Sequence, residues 1–214
     1  GETIPFGTNI IFECSSMPHL KISAEICEDL WAPEPPSVSH ALAGATMIVN
    51  LSASDAMTGK ASYRKGLVSY QSARLICGYI YASAGDGESS TDLVFSGHNL
   101  IAENGVVLKE SERFKNQSVS SAIDVDRLVS ERRRMSTFPI QSSVSHKVIP
   151  FDLTIEDTVL DRYIDSEPFV PSDKFNRNAR CDEILNIQAM GLKKRIEHTH
   201  CQSAVVGISG GLDS

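Results

Sequence analysis

Long apolar runs are missing from this sequence. No stretch of its 214 residues approaches the ~20 consecutive apolar residues that a membrane-spanning helix needs. A basic start followed by an apolar segment is also missing, so no secretory signal is expected. Cysteine is sparse and scattered: Cys14, Cys27, Cys77, Cys181 and Cys201 form no Cys-x-x-Cys and no Cys/His cluster, which argues against a zinc site. An odd number of widely spaced cysteines reads as reduced thiols in a cytoplasmic protein. Positive charge is in deficit, with 20 Lys+Arg against 27 Asp+Glu and a net charge of −7. That disfavours non-specific binding to nucleic acid or to an anionic membrane. The one basic run, Arg132-Arg133-Arg134, falls on a predicted helix and reads as a solvated face. What is present is a 41% hydrophobic, 22% charged chain, enough to bury a core and too apolar for general disorder.

Short apolar runs alternate with amphipathic segments over the first two thirds. Lys21 to Cys27 is predicted as a strand ending at a cysteine. Ser37 to Gly44 follows as a short helix with Ser37 as its N-cap, and Thr46 to Leu51 as a strand buried on both faces. Residues 61–77 have helical spacing, with Tyr63, Leu67, Tyr70 and Arg74 on one side, and Gly78 to Ala84 returns as a strand in which Tyr79 and Tyr81 pack. This alternation is the grammar of an α/β layer. From Thr91 the periods shorten. Asp92 to Phe95, His98 to Ala102, Val106 to Glu110 and Ser118 to Ile123 are predicted strands, with Glu103-Asn104-Gly105 as a hairpin turn. Asp124 then caps a helix reaching Met135. Residues 136–172, rich in proline and serine, read as a surface linker. A helix from about Arg180 to His198 carries Cys181, Leu185, Leu192 and Ile196 on one stripe, and Ala204 to Ser209 is predicted as a buried strand. His198 and His200, though close, read as solvent-exposed rather than metal-binding.

Two places carry chemistry. The chain ends Ser209-Gly210-Gly211-Leu212-Asp213-Ser214. A strand leading into Ser-Gly-Gly-x-Asp-Ser is a phosphate loop: glycines let the backbone approach phosphate oxygens, and their positive φ angles turn several N–H groups inward. The second place is Cys27, at a strand end entering Glu28-Asp29-Leu30-Trp31. A strand end fixes a nucleophile while the following N–H groups can face an oxyanion. The adjacent acids Glu28 and Asp29 disfavour a thiolate, so a cation or base must come from elsewhere. A buried structural cysteine remains the alternative on these residues alone.

The terminal string resembles the N-type ATP pyrophosphatases. That resemblance implies that Gly207, Ile208, Ser209, Gly210, Gly211, Leu212, Asp213 and Ser214 contact ATP, with Asp213 helping to organise magnesium. Around Cys27, the strings Ala24 to Trp31, Asn50-Leu51-Ser52-Ala53-Ser54, Gly85 to Asp92, Glu103-Asn104-Gly105 and Glu110 to Phe114 resemble the nitrilase-type glutaminase domain of the glutamine-dependent NAD+ synthetases. The order, nitrilase segment then Ser-Gly-Gly-x-Asp-Ser, is shared by few families.

The resemblance implies that Cys27 attacks glutamine, and that Ser54, Lys60, Glu28 and Trp31 contact it. Released ammonia would then amidate nicotinic acid adenine dinucleotide, with ATP and Mg2+ as a substrate complex and no tightly bound cofactor or resident metal. It further implies a homo-oligomer. A Glu base and a Lys are expected upstream of the cysteine, but Glu13, Lys21 and Glu25 do not match their contexts and neither role is assigned. A plain nitrilase-type amidase, another glutamine amidotransferase and a catalytically inactive piece are the alternatives.

The fold class expected is α/β. Residues 1–135 would form part of a nitrilase-like α-β-β-α sandwich, 136–172 a linker, and 173–214 the start of a doubly wound parallel α/β domain. The Gly1 start and the end within the phosphate loop are those expected of a piece of a longer protein.

Overall fold

The computed structural model describes residues 3, 4, 6–88, 91–139, 144–157, 159, 162–170 and 173–211. The chain divides into two compact units, Gly1–Arg162 and Tyr163–Ser214.

The first unit is built on one mixed sheet. Its strands are β1 (Ile10–Cys14), β2 (Lys21–Ile26), β3 (Met47–Ser52), β4 (Gly78–Ser83), β5 (Leu100–Glu103), β6 (Val106–Glu110) and β7 (Lys147–Phe151). Their order across the sheet is β6-β5-β4-β3-β2-β1-β7. β2, β3 and β4 run parallel at the centre, in a register that places Glu25 beside Asn50 and Asn50 beside Tyr81. Helices α1 (Pro36–Leu42) and α2 (Lys60–Leu75) supply the crossovers between them, as parallel neighbours require.

Period-two alternation sorts the faces of these strands. Ser23, Glu25, Ile48, Asn50, Ser52, Tyr79 and Tyr81 are buried. On that side lies the core, in which Ile48, Tyr79, Tyr81 and Leu100 meet Val68 and Leu75 of α2 and Ala41 of α1. The alternate residues form a second apolar face that these helices do not cover: Ile26 and Leu51 are 64% and 63% exposed. The unit is thus one sheet with helices on one side, half of a two-sheet sandwich.

Several elements follow local sequence. Asn104 and Gly105 both have positive φ (44° and 89°) in the β5–β6 turn, the pattern of a hairpin that matches strand twist. A Cβ on Gly105 would lie 2.9 Å from the Ala73 Cβ, so the turn also needs glycine for close approach to α2. Helix α3 (Val125–Arg134) begins at Asp124, whose carboxylate accepts from the Arg127 N–H at 2.9 Å.

Other expectations are corrected. Ser37 does not cap α1; Pro35 holds that position and the Ser37 N–H donates to the buried Glu25 carboxylate at 2.8 Å. The Tyr63/Tyr70/Arg74 stripe of α2 faces outward, because Arg64, Val68, Gln71, Ser72 and Leu75 take the buried side. Residues 92–95 and 118–123 form no ladder. The expected linker contains strand β7, paired in parallel with β1 at the sheet edge. Its Pro150, which suggested a linker, is tolerated at an edge where a missing N–H costs no ladder bond.

Arg132 is not a solvated residue either. Its guanidinium donates to the carbonyls of Leu75, Ile76 and Ala45 at 2.7 to 3.2 Å, closing the C-terminal end of α2, where unpaired carbonyls need donors. It also lies 4.9 Å from the Phe138 ring centroid. Arg133 and Arg134 do remain exposed.

The second unit contains α4 (Lys174–Thr199), six residues longer at its start than expected, with Asp173 as N-cap. Cys181, Leu185 and Leu192 of its apolar stripe are exposed. Residues 204–209 form no strand and are exposed, Val205 at 96%. The physical reason is the absence, among the described residues of that unit, of any strand to pair with them.

Candidate functional site

The central strands β2, β3 and β4 end on the same edge of the sheet, and Cys27 lies there. The 3-10 helix Cys27–Trp31 starts directly after β2. Cys27 has φ +50°, a left-handed conformation that costs a non-glycine residue about 1–2 kcal/mol. Such strain persists only where surroundings enforce it, and here they are visible. The Asn50 carboxamide accepts from the Cys27 N–H at 3.0 Å and donates to the Cys27 carbonyl at 3.4 Å. One residue earlier, the Ile26 N–H donates to the Asp29 carboxylate at 2.8 Å. The turn is held from two sides.

Asn50 is itself anchored. Its amide donates to the Tyr79 hydroxyl at 3.2 Å, and that hydroxyl donates to Glu25. Burial, then the nearby Glu25 charge, pushes the Tyr79 phenol far above its ordinary value, so it stays a neutral donor. Glu25 therefore serves Tyr79 and Ser37, and Glu13 pairs with Lys21 at 3.1 Å. Among the described residues, no carboxylate or imidazole is hydrogen-bonded to the Cys27 sulfur.

What does reach the sulfur is Ser52, whose hydroxyl donates to Sγ at 3.5 Å and lies 2.5 Å from the Tyr81 hydroxyl. Trp31 stands with its ring centroid 6.2 Å from that of Tyr81. Ser54 is buried and its hydroxyl accepts from Arg64 at 3.1 Å. Lys60, the first residue of α2, is paired with Asp55 and, with Arg64 and Arg113, lines a cavity of about 420 Å3.

Cys27, Trp31 and Ser54 are thus connected through Tyr81 and Arg64, and Lys60 adjoins them. Glu28 is exposed on the 3-10 helix and makes none of these contacts.

The motifs single out neither Asn50 nor Ser52 individually, and strand alternation assigns Tyr79 and Tyr81 to packing. A usable signal existed: Asn50 and Ser52 are polar at alternate positions of an otherwise apolar parallel strand, where buried polar groups need partners. The diagonal tyrosines of β4 are those partners.

The terminal loop is a separate matter. Gly207, Ile208, Ser209, Gly210 and Gly211 are exposed in the second unit without helix or strand, with Gly210 at φ +86°. Leu212, Asp213 and Ser214 lie outside the described residues. Among the described residues, no group of three or more His, Cys, Asp or Glu side chains is placed to hold a metal ion. No helix there is long and apolar enough to cross a membrane.

Known proteins resemble this chain in sequence and in fold. Over its whole length the chain is 42% identical to the glutamine-dependent NAD(+) synthetase of Mycobacterium tuberculosis. It is 42% identical over 98% of its length to the enzyme of that name from Mycobacterium leprae. It spans about a third of each of these relatives, 33% and 32%. A solved carbon-nitrogen hydrolase from Helicobacter pylori superposes with a TM-score of 0.50 at 18% identity, covering 62% of this chain and 48% of that one, a likeness of fold alone. The family model for carbon-nitrogen hydrolases matches residues 2–133, a span that includes the Cys27 turn, Asn50, Ser52 and Tyr81. The chain belongs to the carbon-nitrogen hydrolase family.

Proposed function

We propose that this chain carries the nucleophile of a glutaminase that feeds ammonia to NAD+ synthesis. The observation that carries the reading is Cys27: a partly exposed thiol, held at φ +50° at the end of β2, with a hydroxyl donating to its sulfur, inside a carbon-nitrogen hydrolase domain. The likeness to glutamine-dependent NAD(+) synthetases across the whole chain supplies the substrate.

The Cys27 thiolate attacks the side-chain amide carbon of glutamine, and the C=O electron pair moves onto oxygen. Collapse re-forms the C=O bond and breaks C–N. The nitrogen takes the proton that the thiol gave up in forming the thiolate and leaves as ammonia, giving a thioester. Water adds to that thioester, the C–S bond breaks, the sulfur takes one of that water's protons, and glutamate departs. Trp31 supplies a ring wall and Ser54 a hydroxyl. Lys60 is the cation for the α-carboxylate and Glu28 the acid for the α-amino group.

Ammonia would then displace AMP from adenylated nicotinic acid adenine dinucleotide. ATP, with magnesium, is bound by Gly207 to Ser214, giving NAD+, AMP and pyrophosphate. A cytoplasmic homo-oligomer belongs to the same reading.

The test is donor choice in the protein made from its complete reading frame. Cys27→Ala is expected to abolish NAD+ formation from glutamine and to leave formation from ammonium intact. Glutamine hydrolysis without NAD+ formation from either donor would favour a plain amidase. Glutamine-dependent NAD+ formation surviving in Cys27→Ala would overturn the role of Cys27.

A further inference from the structure

The chain beyond β7 is fastened to the first unit at two places. At the first, the Ser15 N–H donates to the Phe151 carbonyl at 2.8 Å and the Ser16 hydroxyl donates to the Leu153 carbonyl at 2.7 Å. At the second, the Arg162 guanidinium donates to both carboxylate oxygens of Glu103, at 2.7 and 2.5 Å. β7 and β5 have four strands between them in the sheet. The second fastening is therefore far from the first and owes nothing to the β1–β7 ladder.

Glu103 is the last residue of β5 and is 3% exposed. A carboxylate so buried is costly unless a cation and hydrogen bonds answer it, and here both do. Its Oε2 also accepts from the Asp124 N–H at 2.8 Å, at the start of α3. Burial by itself would raise the Glu103 carboxyl, but Arg162, the Asp124 N–H and the nearby Arg127 charge outweigh it and hold the group below its ordinary value. Asp124 in turn adds a negative charge near Arg162. A forked guanidinium on both oxygens of one carboxylate is strong and directional. The pair joins residues 59 positions apart, and Arg162 is the last residue of the first unit.

That place sets the length of free chain between the two units. With Arg162 held, only residues 163–173 separate the first unit from α4 at Lys174, a tether that reaches at most about 40 Å. With Arg162 released, the next fastening back is at Leu153, and the reach grows to about 70 Å. Shortening a flexible tether raises the effective concentration of what it joins, roughly as the −3/2 power of its length.

We infer that the Arg162–Glu103 pair is a releasable anchor that fixes where the chain leaves the first unit and so sets the length of the tether to the second. The inference does not depend on Cys27 as a nucleophile or on glutamine as its substrate.

The test is trypsin cleavage after Arg162 in the protein made from its complete reading frame, with products identified by mass. Trypsin must take up the side chain that the anchor holds, so the rate reports the released population. Each rate is divided by that of the same bond in a free peptide of the same sequence. In the parent this ratio should be far below one. Glu103→Gln keeps the shape of the side chain and removes its charge, and should raise the ratio about tenfold or more, the effect of losing hydrogen bonds between charged groups.

Arg162→Lys leaves Glu103 with a cation and removes the fork. It should raise the ratio less than Glu103→Gln but more than twofold, and it serves as the test if Glu103→Gln does not fold. Cleavage after Lys147, in β7, should stay within twofold of the parent in both variants, since the β1–β7 ladder is untouched. Cleavage after Arg162 within twofold of the parent in both variants would overturn the anchor. So would cleavage after Lys147 rising as much as cleavage after Arg162, because the pair would then hold the whole unit folded and not the tether alone.

Discussion

Removing the Asn50 carboxamide should cost stability and nucleophile geometry together, in an amount that depends on the residue at position 27. Asn50→Ala leaves the Cys27 N–H without its 3.0 Å acceptor and the Cys27 carbonyl without its weaker 3.4 Å donor, and Tyr79 loses one of its two bonds. An orphaned buried polar group costs about 1–3 kcal/mol. The weaker bonds add a fraction of that, so the expected loss is about 2–4 kcal/mol. The left-handed turn adds a second effect. At φ +50°, Cys27→Gly should be about 1 kcal/mol more stable than Cys27→Ala, since glycine has no Cβ penalty there. In the Cys27→Gly background a released turn has no strain to recover, so Asn50→Ala should cost as much as in the parent or up to about 1 kcal/mol more. Urea unfolding of the four chains closes the cycle, and iodoacetamide alkylation of Cys27 in Asn50→Ala checks the geometry. The reasoning fails if Asn50→Ala stays within 0.5 kcal/mol of the parent, taken here as roughly the scatter of neutral surface substitutions. It fails equally if Cys27→Gly is less stable than Cys27→Ala.

Two further outcomes are expected. Burial first, with His146 at one ring and Arg64 at the other, holds His40 and His98 below their ordinary value of 6.5 in the folded chain. The unfolded chain then binds more protons below that pH, so stability should be fully present above about 6.5 and fall as pH drops through the lowered folded values; a melting temperature flat or rising from pH 7.5 to 5.5 would contradict this. Arg132→Ala should cost about 2–4 kcal/mol by stripping donors from the Leu75, Ile76 and Ala45 carbonyls, whereas Arg134→Ala, at an exposed ion pair with Glu131, should change stability by less than about 0.5 kcal/mol. Equal effects of the two in denaturant unfolding would refute the helix-closing role of Arg132.

The difference between these two arginines shows what sequence can carry. Local signals were readable: β2 running to a cysteine, the Asp124 cap and the Asn104-Gly105 turn each depend on residues close together in the chain. Arg132 and Arg134 share a run, a helix and a charge. Only the fold sets Arg132 against the end of α2, 57 residues away. Ala204 to Ser209 fails from the opposite side. Its β-branched residues satisfy a strand pattern, but a ladder needs a partner that lies in no local window. The candidate site divides in the same way. Local motifs single out Cys27, Trp31, Ser54 and Lys60 as candidates, while nothing local singles out the residues that connect them. Asn50 to Tyr79 and Ser52 to Tyr81 each span 29 positions.

Those long-range pairs also explain why the nucleophile lies where it does. Three parallel strands ending together present consecutive side chains on one edge, and two crossover helices return their N-terminal ends near it. A strained cysteine could be held on a loop by local bonds alone, as Asp29 holds Ile26, but such a bond moves with its loop. Asn50 and Ser52 are rooted in the most central strand of the sheet, and Tyr79 and Tyr81 in its neighbour, all four buried. To shift the backbone that leads into Cys27 relative to Ser52, β2 would have to slide against β3, which would break the register from Ile22–Met47 through Ile26–Leu51. The strand end that carries the thiol is therefore as rigid as the sheet. A rotamer change at the exposed Glu28 or the half-buried Trp31 can adapt to a ligand without disturbing it. Variants at Glu28 and Trp31 should accordingly alter what is bound, and variants in β3 and β4 how readily Cys27 reacts.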